Sequence, residues 1–226
     1  MTAIKDSVVL VTGANRGLGK VFVQELLDRG AAKVYASART PLTYDDPRVV
    51  PLRVDVTDEA SIRAAAETAS DVSIVINNAG IPGTTPLVTT PIEDIQRILD
   101  TNTLGPIRVA KAFAQILAAN GGGTLVNVAS VLSWLASGAY GASKAALWSV
   151  SNQLRQELSG QGTVVQSLHL GYTDTDMTAG IDAPKNDPLD VVRASLEGIE
   201  RGDDEVLADE LTRSVKAGLS GSLARA

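Results

Sequence analysis

Short apolar runs alternate with longer segments of helical periodicity along this sequence, and that alternation restricts the fold more than any other feature. Runs rich in β-branched residues predict buried strands, whereas apolar residues three or four positions apart predict amphipathic helices. The predicted strands are Ser7–Thr12, Lys33–Ser37, Val49–Val54, Val72–Ile76, Thr124–Ala129, Val164–Leu168 and Glu205–Leu207. Because strands that alternate with helices form parallel sheets with right-handed crossovers, we expect an α/β fold. The expected architecture is a doubly wound parallel sheet with helices on both faces, in one domain over residues 1–226.

The helical segments are the predicted crossovers between these strands. Asp58 is placed to cap the helix that ends at Thr68, and Gly105-Pro106 is expected to kink the helical segment from Pro91 to Leu117. The other helices are predicted over Leu18–Arg29, Gly138–Leu158 and Pro188–Arg201, and a helical tail that frays at its end is predicted over residues 209–226.

Composition excludes several classes of function. The 226 residues include 20 Lys and Arg against 26 Asp and Glu, and the net charge of −6 argues against nucleic-acid binding. With no cysteine and one histidine, His169, we expect no disulfide, no metal site and no Ser-His-Asp hydrolysis unless His169 is the base. We also expect no secretory leader and no membrane span, because no apolar run is long enough for either. These features predict a cytoplasmic protein.

A glycine-rich loop lies between the first strand and the first helix. Backbone N–H groups at a helix N-terminus bind phosphate when no side chains intervene. Gly13 permits the tight turn, Gly17 lets the backbone approach a pyrophosphate, and Gly19 lets the helix pack against the sheet. The other members of the predicted dinucleotide site in this loop are Asn15, Arg16 and Leu18. The alternative is a turn that is only structural.

Two arginines indicate which dinucleotide is bound. An acidic residue after the second strand would hold the ribose 2′-hydroxyl of NAD(H), but Arg39 stands there instead. Arg39 and Arg16 together are suited to a 2′-phosphate, so NADP(H) is predicted over NAD(H), unless both are ordinary surface arginines. Asp55, after the third strand, is placed to accept from the adenine amino group, and a helix-capping role is its rival.

Several ordered motifs resemble those of the short-chain dehydrogenase/reductase family. They are the TGANRGLG loop at 12–19, Asp55-Val56, Asn77-Asn78-Ala79-Gly80, Asn102, Ser130, and Tyr140-Gly-Ala-Ser-Lys144. The resemblance extends to about Leu207. It implies a Rossmann fold, a nicotinamide cofactor, and hydride transfer to or from a carbonyl or alcohol carbon.

Tyr140 and Lys144 are one helical turn apart and share a face of their helix. A lysine ammonium beside a phenol favours the phenolate, so Lys144 is expected to lower the pKa of Tyr140 and make it a usable acid or base. The alternative is a helical tyrosine and lysine without a catalytic role. The resemblance implies that Lys144 also binds the nicotinamide ribose, that Ser130 holds the substrate oxygen, and that Asn102 holds a water in a relay to Lys144.

The resemblance implies further cofactor contacts. Asn78, Ala79 and Gly80 would line the adenosine side, although a simple strand-ending turn is the alternative. The segment after the sixth strand would hold the nicotinamide carboxamide through Gly171, Thr173 and Thr175, with Leu170 where the family usually has proline. Thr175 is equally suited to cap a helix or turn.

Apolar residues on loops at the carboxyl ends of the strands predict the substrate pocket, because ligands bind at that edge of an open α/β sheet. They are Ile81, Leu132, Trp134, Leu135, Tyr172 and Met177. They suggest an apolar carbonyl substrate, and ordinary loop packing explains most of them equally well. His169 is expected to be a satisfied, partly buried histidine, and Trp148 to pack in the core or at a subunit contact.

Together these features predict an NADPH-dependent carbonyl reductase that acts on a small-molecule ketone, aldehyde or alcohol. The alternatives are a non-catalytic dinucleotide-binding redox sensor, or a reductase of an acyl-carrier-bound, sugar or steroid ketone. The resemblance implies a homodimer, with a tetramer as the other possibility.

Overall fold

Seven parallel strands form one sheet in the order β3-β2-β1-β4-β5-β6-β7. The computed structural model describes residues 2–83 and 86–219, so the predicted fraying of residues 220–226 lies outside it. The strands are β1 (Val8–Thr12), β2 (Lys33–Ala38), β3 (Val49–Arg53), β4 (Ile74–Asn77), β5 (Gly123–Val128), β6 (Thr163–His169) and β7 (Glu205–Leu207). The predicted Rossmann-type fold is confirmed, and each strand bound lies within two residues of its prediction.

Helices cover both faces of the sheet. They are α1 (Gly17–Asp28), α2 (Glu59–Thr68), α3 (Ile92–Leu99), α4 (Gly105–Ala119), α5 (Gly138–Ser159), α6 (Pro188–Arg201) and α7 (Glu210–Gly218). Phe22 and Leu196, from α1 and α6, are fully buried in one apolar core, and Phe113 from α4 is buried in the other. Buried apolar area on two faces explains why the strands are almost continuously apolar.

Helix ends follow the expected signals. Asp58 accepts from the backbone N–H of Ala60 at 2.9 Å, so the predicted cap of α2 is confirmed. Asp187 caps α6 in the same way, and Gly202 ends that helix in the left-handed region at φ 79°. Among the described helices, none combines the length and the apolar character that a bilayer crossing requires.

In place of the kink predicted at Gly105-Pro106, the helical segment is interrupted by a π turn that begins five residues before Gly105. A π turn over Asp100–Leu104 separates α3 from α4, and the N–H of Gly105 bonds to the carbonyl of Asp100, five residues back. Pro106 has no N–H, so the carbonyl of Asn102 cannot receive the bond that an α-helix would give it. The wider turn accommodates this loss and places Asn102 at the break.

The chain crosses to opposite sides of the sheet after β1 and after β4, which are neighbours at its centre. Such a change of direction opens a cleft at the carboxyl ends of those strands. The glycine loop follows β1, and the loop that contains Ser130 follows β5. The fold therefore gathers the predicted site residues along one edge.

Candidate active site

The glycine loop presents backbone N–H groups to solvent at the start of α1. Gly13 and Gly17 adopt φ values of 67° and 52°, the left-handed region that favours glycine. Arg16 precedes the helix, and no side chain caps the first turn. A helix N-terminus with free N–H groups suits an anionic group.

Thr12 and Asn78 hold this loop against the end of β4. The Thr12 hydroxyl accepts from the N–H of Asn78 at 3.0 Å and of Ala79 at 3.1 Å. The Asn78 amide donates to the carbonyls of Thr12 at 2.9 Å and of Gly13 at 3.2 Å. A Cβ at Gly19 would collide with the Gly13 carbonyl and the Asn78 amide, which explains the third glycine. The turn formed by Asn78 therefore shapes the cradle. Sequence reasoning missed Thr12, although it opens the TGANRGLG motif.

The predicted 2′-phosphate contacts lie at the exposed end of the cleft. Arg39 is exposed at the end of β2, and the Arg16 guanidinium lies 3.8 Å from the Asp176 carboxylate, with both side chains exposed. The Asn15 amide donates to the carbonyl of Thr40 at 2.7 Å and so joins the glycine loop to this segment. Asn15 Oδ1 is buried and has no hydrogen-bond partner within residues 2–83 and 86–219.

The Asp55 carboxylate accepts its hydrogen bonds from the turn that follows it. Its Oδ1 accepts from the N–H and the hydroxyl of Thr57, at 3.0 and 2.8 Å, and these bonds lower its pKa. The helix-capping alternative is wrong, because Asp58 caps α2. Val56 is buried and packs at Gly105, where an added Cβ would lie 2.9 Å from its Cγ2. Val56 thus packs against the start of α4, and its cofactor contact stays a prediction.

These features together fit a dinucleotide. A pyrophosphate would bind at the uncapped N-terminus of α1, beside the glycines in the left-handed region. The attached nucleoside could donate to the buried side-chain carbonyl oxygen of Asn15, which has no donor among the described residues. Two arginines at the open end add positive charge beside them.

Tyr140, Lys144 and Ser130 meet at the carboxyl end of β5. The Ser130 side chain lies near enough to the Tyr140 hydroxyl to lower the pKa of Tyr140. Lys144 is buried, with its Nζ donating to the carbonyl of Val128 at 2.7 Å and 5.6 Å from the centroid of the Tyr140 ring. The Ser130 hydroxyl also accepts from the N–H of Leu132 at 3.1 Å.

The expected direction of the Tyr140 pKa is wrong for this geometry. Burial raises the pKa of Tyr140 to about 12, against a smaller lowering from the neighbouring Ser130 side chain. Burial also lowers the pKa of Lys144 to about 8. Because the Lys144 ammonium is directed to Val128 rather than to the phenol oxygen, its charge does not offset the loss of water around Tyr140.

Asn102 is fully buried at the π turn. Its Oδ1 accepts from the N–H of Ile81 at 2.9 Å, and its Nδ2 donates to the Ile81 carbonyl at 3.0 Å and to the Ser143 hydroxyl at 3.1 Å. The amide is thus engaged by the protein and fixes Ile81. The relay role stays a prediction.

The segment after β6 returns to the glycine loop. A Cβ at Gly17 would lie 3.5 Å from Thr175 Cγ2, so residues 158 positions apart become neighbours. Thr175 caps a 3₁₀ turn over Asp176–Thr178, so its capping role is observed and its carboxamide role stays a prediction. The N–H of Gly171 donates to Asp209 Oδ2 at 2.6 Å, and the Thr173 hydroxyl donates back to the Gly171 carbonyl at 3.3 Å.

Asp209 is a residue that sequence reasoning did not assign to the site. It caps α7 through the N–H and hydroxyl of Thr212, at 2.8 and 2.7 Å, and also accepts from the Asn186 amide at 2.8 Å. Burial alone would raise its pKa, but these bonds and that of Gly171 outweigh burial and lower it. Its position just before a predicted helix was the available signal.

The predicted pocket residues fall into different environments. Leu135 and Met177 are exposed, whereas Ile81, Leu132 and Tyr172 are half-buried. The Trp134 ring stacks on His169, with centroids 4.2 Å apart, and meets the Trp148 ring edge-on at 5.9 Å. These contacts explain the packing of the Trp134 ring, whereas its indole Nε1 is buried without a hydrogen-bond partner among the described residues. The pocket assignment stays a prediction.

His169 differs from its prediction. It is fully buried rather than partly buried, and only Nδ1 has a hydrogen-bond partner in the part of the chain that the structure describes.

Comparison with known proteins gives a consistent result. Residues 7–186 match the sequence profile of the short chain dehydrogenases. An NADPH-dependent 1-acyldihydroxyacetone phosphate reductase of Schizosaccharomyces pombe is 37% identical over 183 residues, which cover 75% of this chain and 61% of that protein. The chain therefore spans less than two thirds of that relative's length.

Two solved structures are also similar. A short chain dehydrogenase from Burkholderia cenocepacia J2315 in complex with NADP has a TM-score of 0.94 and 35% identity, covering 98% of this chain and 95% of that one. An NADPH-bound carbonyl reductase from chicken fatty liver has a TM-score of 0.80 and 26% identity, covering 86% of this chain and 91% of that one.

Proposed function

We propose a function from the premise that the chain belongs to the short-chain dehydrogenase family: it is an NADP(H)-dependent oxidoreductase that interconverts a carbonyl and an alcohol. One observation carries this proposal. Lys144 is buried with its Nζ 5.6 Å from the centroid of the Tyr140 ring, and the Ser130 side chain lies near enough to the Tyr140 hydroxyl to lower the pKa of Tyr140. Two hydroxyls at the edge of the cleft provide a proton donor and a hydrogen-bond donor for one substrate oxygen.

NADP(H) is the cofactor that the NADP-bound relatives and the NADPH-dependent reductase support. Gly13, Gly17 and the start of α1 would hold the pyrophosphate, and Arg16 with Arg39 would hold the 2′-phosphate. When bound, the nicotinamide supplies or accepts the hydride.

Tyr140 acts as the proton donor in the direction of carbonyl reduction. A pKa near 12 keeps its hydroxyl protonated at neutral pH, so it carries a proton to give to the oxygen that gains negative charge. The Ser130 hydroxyl donates a hydrogen bond to the same oxygen. Lys144, one helical turn after Tyr140, would bind the cofactor ribose and supply the replacement proton, and its burial with Nζ 5.6 Å from the centroid of the Tyr140 ring supports this role.

The substrate that we propose is a small ketone or aldehyde with an apolar body. The half-buried side chains of Ile81, Leu132 and Tyr172 support the apolar character. We do not assign the acyldihydroxyacetone phosphate named for the yeast relative to this chain as a substrate, because this chain spans only 61% of that protein.

The test follows NADPH absorbance while the protein is mixed with a panel of ketones and aldehydes. Turnover of at least one carbonyl is expected. Tyr140→Phe should lower kcat by roughly 10³-fold or more and leave the NADPH dissociation constant within about twofold. A Phe variant with near wild-type kcat on a good substrate would remove Tyr140 from the mechanism, and no turnover of any carbonyl would contradict the reaction class.

We also propose a homodimer. Val88, four residues before α3, Ile92, the first residue of α3, and Leu104 in the π turn have exposed apolar side chains. Exposed apolar side chains are covered in a subunit contact. Light scattering on the eluting protein should give twice the mass of 23.5 kDa, whereas a monomer mass would contradict the dimer.

A further inference from the structure

His169 lies directly behind Ser130 and has no part in the mechanism above. It ends β6, its side chain is 0% exposed, and its Nδ1 is 3.1 Å from the backbone carbonyl oxygen of Ser130. A carbonyl oxygen only accepts, so this contact is a hydrogen bond only if Nδ1 carries the proton. A hydrogen bond to Ser130 therefore requires the tautomer in which Nδ1 carries the proton.

Aromatic neighbours hold the plane of the His169 ring. Trp134 stacks on it with an interplanar angle of 19°, and Trp148 packs edge-on against Trp134 at 89°. Ser130 and Trp134 flank the 3₁₀ turn Val131–Ser133, so the ring is held by the same loop that it supports. A stacked ring cannot rotate without separating the loop from β6.

Charged groups surround the other edge of the ring. Nε2 faces Glu205 Oε1 at 3.5 Å, and the Glu205 carboxylate is engaged by Lys216 at 2.9 Å and by the Trp148 indole N–H at 3.2 Å. The Lys144 and Lys216 ammonium groups disfavour a charge on the ring. Burial lowers the pKa of His169 to about 4, so the ring is neutral at pH 7 and has one N–H to donate.

Several contacts hold the backbone around Ser130. Its hydroxyl accepts from the N–H of Leu132 at 3.1 Å and donates to the Leu170 carbonyl at 3.5 Å, and the N–H of Val131 donates to that carbonyl at 2.9 Å. The Ser130 carbonyl accepts from the N–H of Ser133 at 3.0 Å and also faces His169. Of these contacts, that of His169 comes from a side chain outside the loop, and so a substitution can remove it alone.

We propose that His169 is a positioning residue for the reaction. Its Nδ1–H bond to the Ser130 carbonyl fixes the backbone at Ser130, and thereby directs the Ser130 hydroxyl towards Tyr140 and the substrate oxygen. The proposal rests on the proposed function, because it assumes that Ser130 binds that oxygen. It predicts that loss of the Nδ1–H donor lowers kcat even when another ring fills the same space, because a small displacement of a catalytic hydroxyl lowers the rate.

Paired substitutions separate the donor from the ring. His169→Phe keeps a flat ring against Trp134 and removes the donor, whereas His169→Asn removes the ring and can place an amide N–H where Nδ1 lies. We expect His169→Phe to lower kcat by about tenfold or more with the NADPH dissociation constant unchanged, and His169→Asn to stay within about threefold of wild type. Trp148→Phe, which breaks the indole bond to Glu205 but does not touch Ser130, is the matched control and should retain wild-type kcat.

Two results would overturn the positioning role. The first is a folded Phe variant with wild-type kcat. The second is an Asn variant that is impaired as much as the Phe variant, because the loss would then come from packing. Thermal melts of each variant identify those that fail to fold.

A direct measurement does not depend on turnover or on a variant. His169 is the single histidine of the sequence, so ¹⁵N-histidine labelling of a protein with a histidine-free tag gives one imidazole in the nitrogen NMR spectrum. A protonated Nδ1 at pH 7, with and without NADPH, supports the bond, whereas an unprotonated Nδ1 excludes it. If the protein binds NADPH but reduces no carbonyl, the proposed function fails while this spectrum still decides the bond.

Discussion

The Lys144 ammonium lies over the ring of Tyr140 rather than beside its hydroxyl, with Nζ 5.6 Å from the ring centroid and 2.7 Å from the Val128 carbonyl oxygen. Lys144 is buried and Tyr140 is half-buried, and the loss of water opposes the charge on each of them. It raises the pKa of Tyr140 to about 12 and lowers the pKa of Lys144 to about 8. The pair therefore favours a neutral phenol, and the ammonium of Lys144 is maintained near neutral pH at a cost in stability.

That cost predicts the effect of Lys144→Met. Between pH 8 and the ordinary lysine value of 10.5, the unfolded chain binds the Lys144 proton and the folded chain does not, so stability rises with pH. Below pH 8 the folded protein carries the full cost of the buried ammonium, and the difference between the two pKa values corresponds to about 3 kcal/mol. Because methionine also loses the bond to Val128, we expect the variant to be about 1–2 kcal/mol more stable than wild type at pH 7.

Urea unfolding at pH 7 and at pH 10 measures this effect. The advantage of Lys144→Met should shrink at pH 10, where the wild-type lysine is largely neutral in the folded protein. The same variant should lose turnover and bind NADPH more weakly, in line with the proposed ribose contact. A variant less stable than wild type at pH 7 would contradict the penalty.

Thr12→Val tests the support of the glycine loop. The substitution keeps the shape of the side chain but removes the acceptor of the Asn78 and Ala79 N–H groups. Leaving two partly buried donors unpaired should lower the free energy of unfolding by about 2 kcal/mol and weaken NADPH binding. Thr12→Ser keeps the hydroxyl and is the control in both urea unfolding and cofactor titration. Equal behaviour of the two variants would show that the hydroxyl does not hold the loop.

The sheet was predictable because its signals are local. Strands buried on two faces are almost continuously apolar, and Asp58 and Gly202 stand where caps and stops are expected. The order of site residues also followed from sequence, because the carboxyl ends of parallel strands meet at one edge.

The electrostatics and the long-range supports were not predictable in this way. Helical spacing places Tyr140 and Lys144 on one face, but it does not specify that Nζ is directed to Val128. The bond of Asp209 to Gly171 joins residues 38 positions apart, and the stack of Trp134 on His169 joins a loop to the end of β6. Such contacts depend on how elements pack, which no local pattern of residues encodes.

Asp209→Ala tests whether α7 supports the segment after β6. The change frees the N–H of Gly171 and the Asn186 amide, so the segment that is proposed to hold the nicotinamide loses its anchor. We expect NADPH to bind about tenfold more weakly. Asp187→Ala removes a comparable helix cap, the bond from the N–H of Leu189 at 2.8 Å, without touching Gly171. Both variants should lose about 1 kcal/mol of stability, and equal NADPH affinities would contradict the anchoring role.

Arg39→Asp tests the choice between NADP(H) and NAD(H). Arg39 is exposed at the end of β2, beside Asp55, whose pKa its charge helps to lower. An aspartate there repels a 2′-phosphate and can accept from a ribose 2′-hydroxyl. The ratio of kcat/KM for NADPH to that for NADH should fall by roughly 10²-fold, measured with one carbonyl substrate. Arg63→Asp, an equal change of charge on the exposed face of α2, should leave the ratio as it is, and an unchanged ratio in Arg39→Asp would remove Arg39 from cofactor selection.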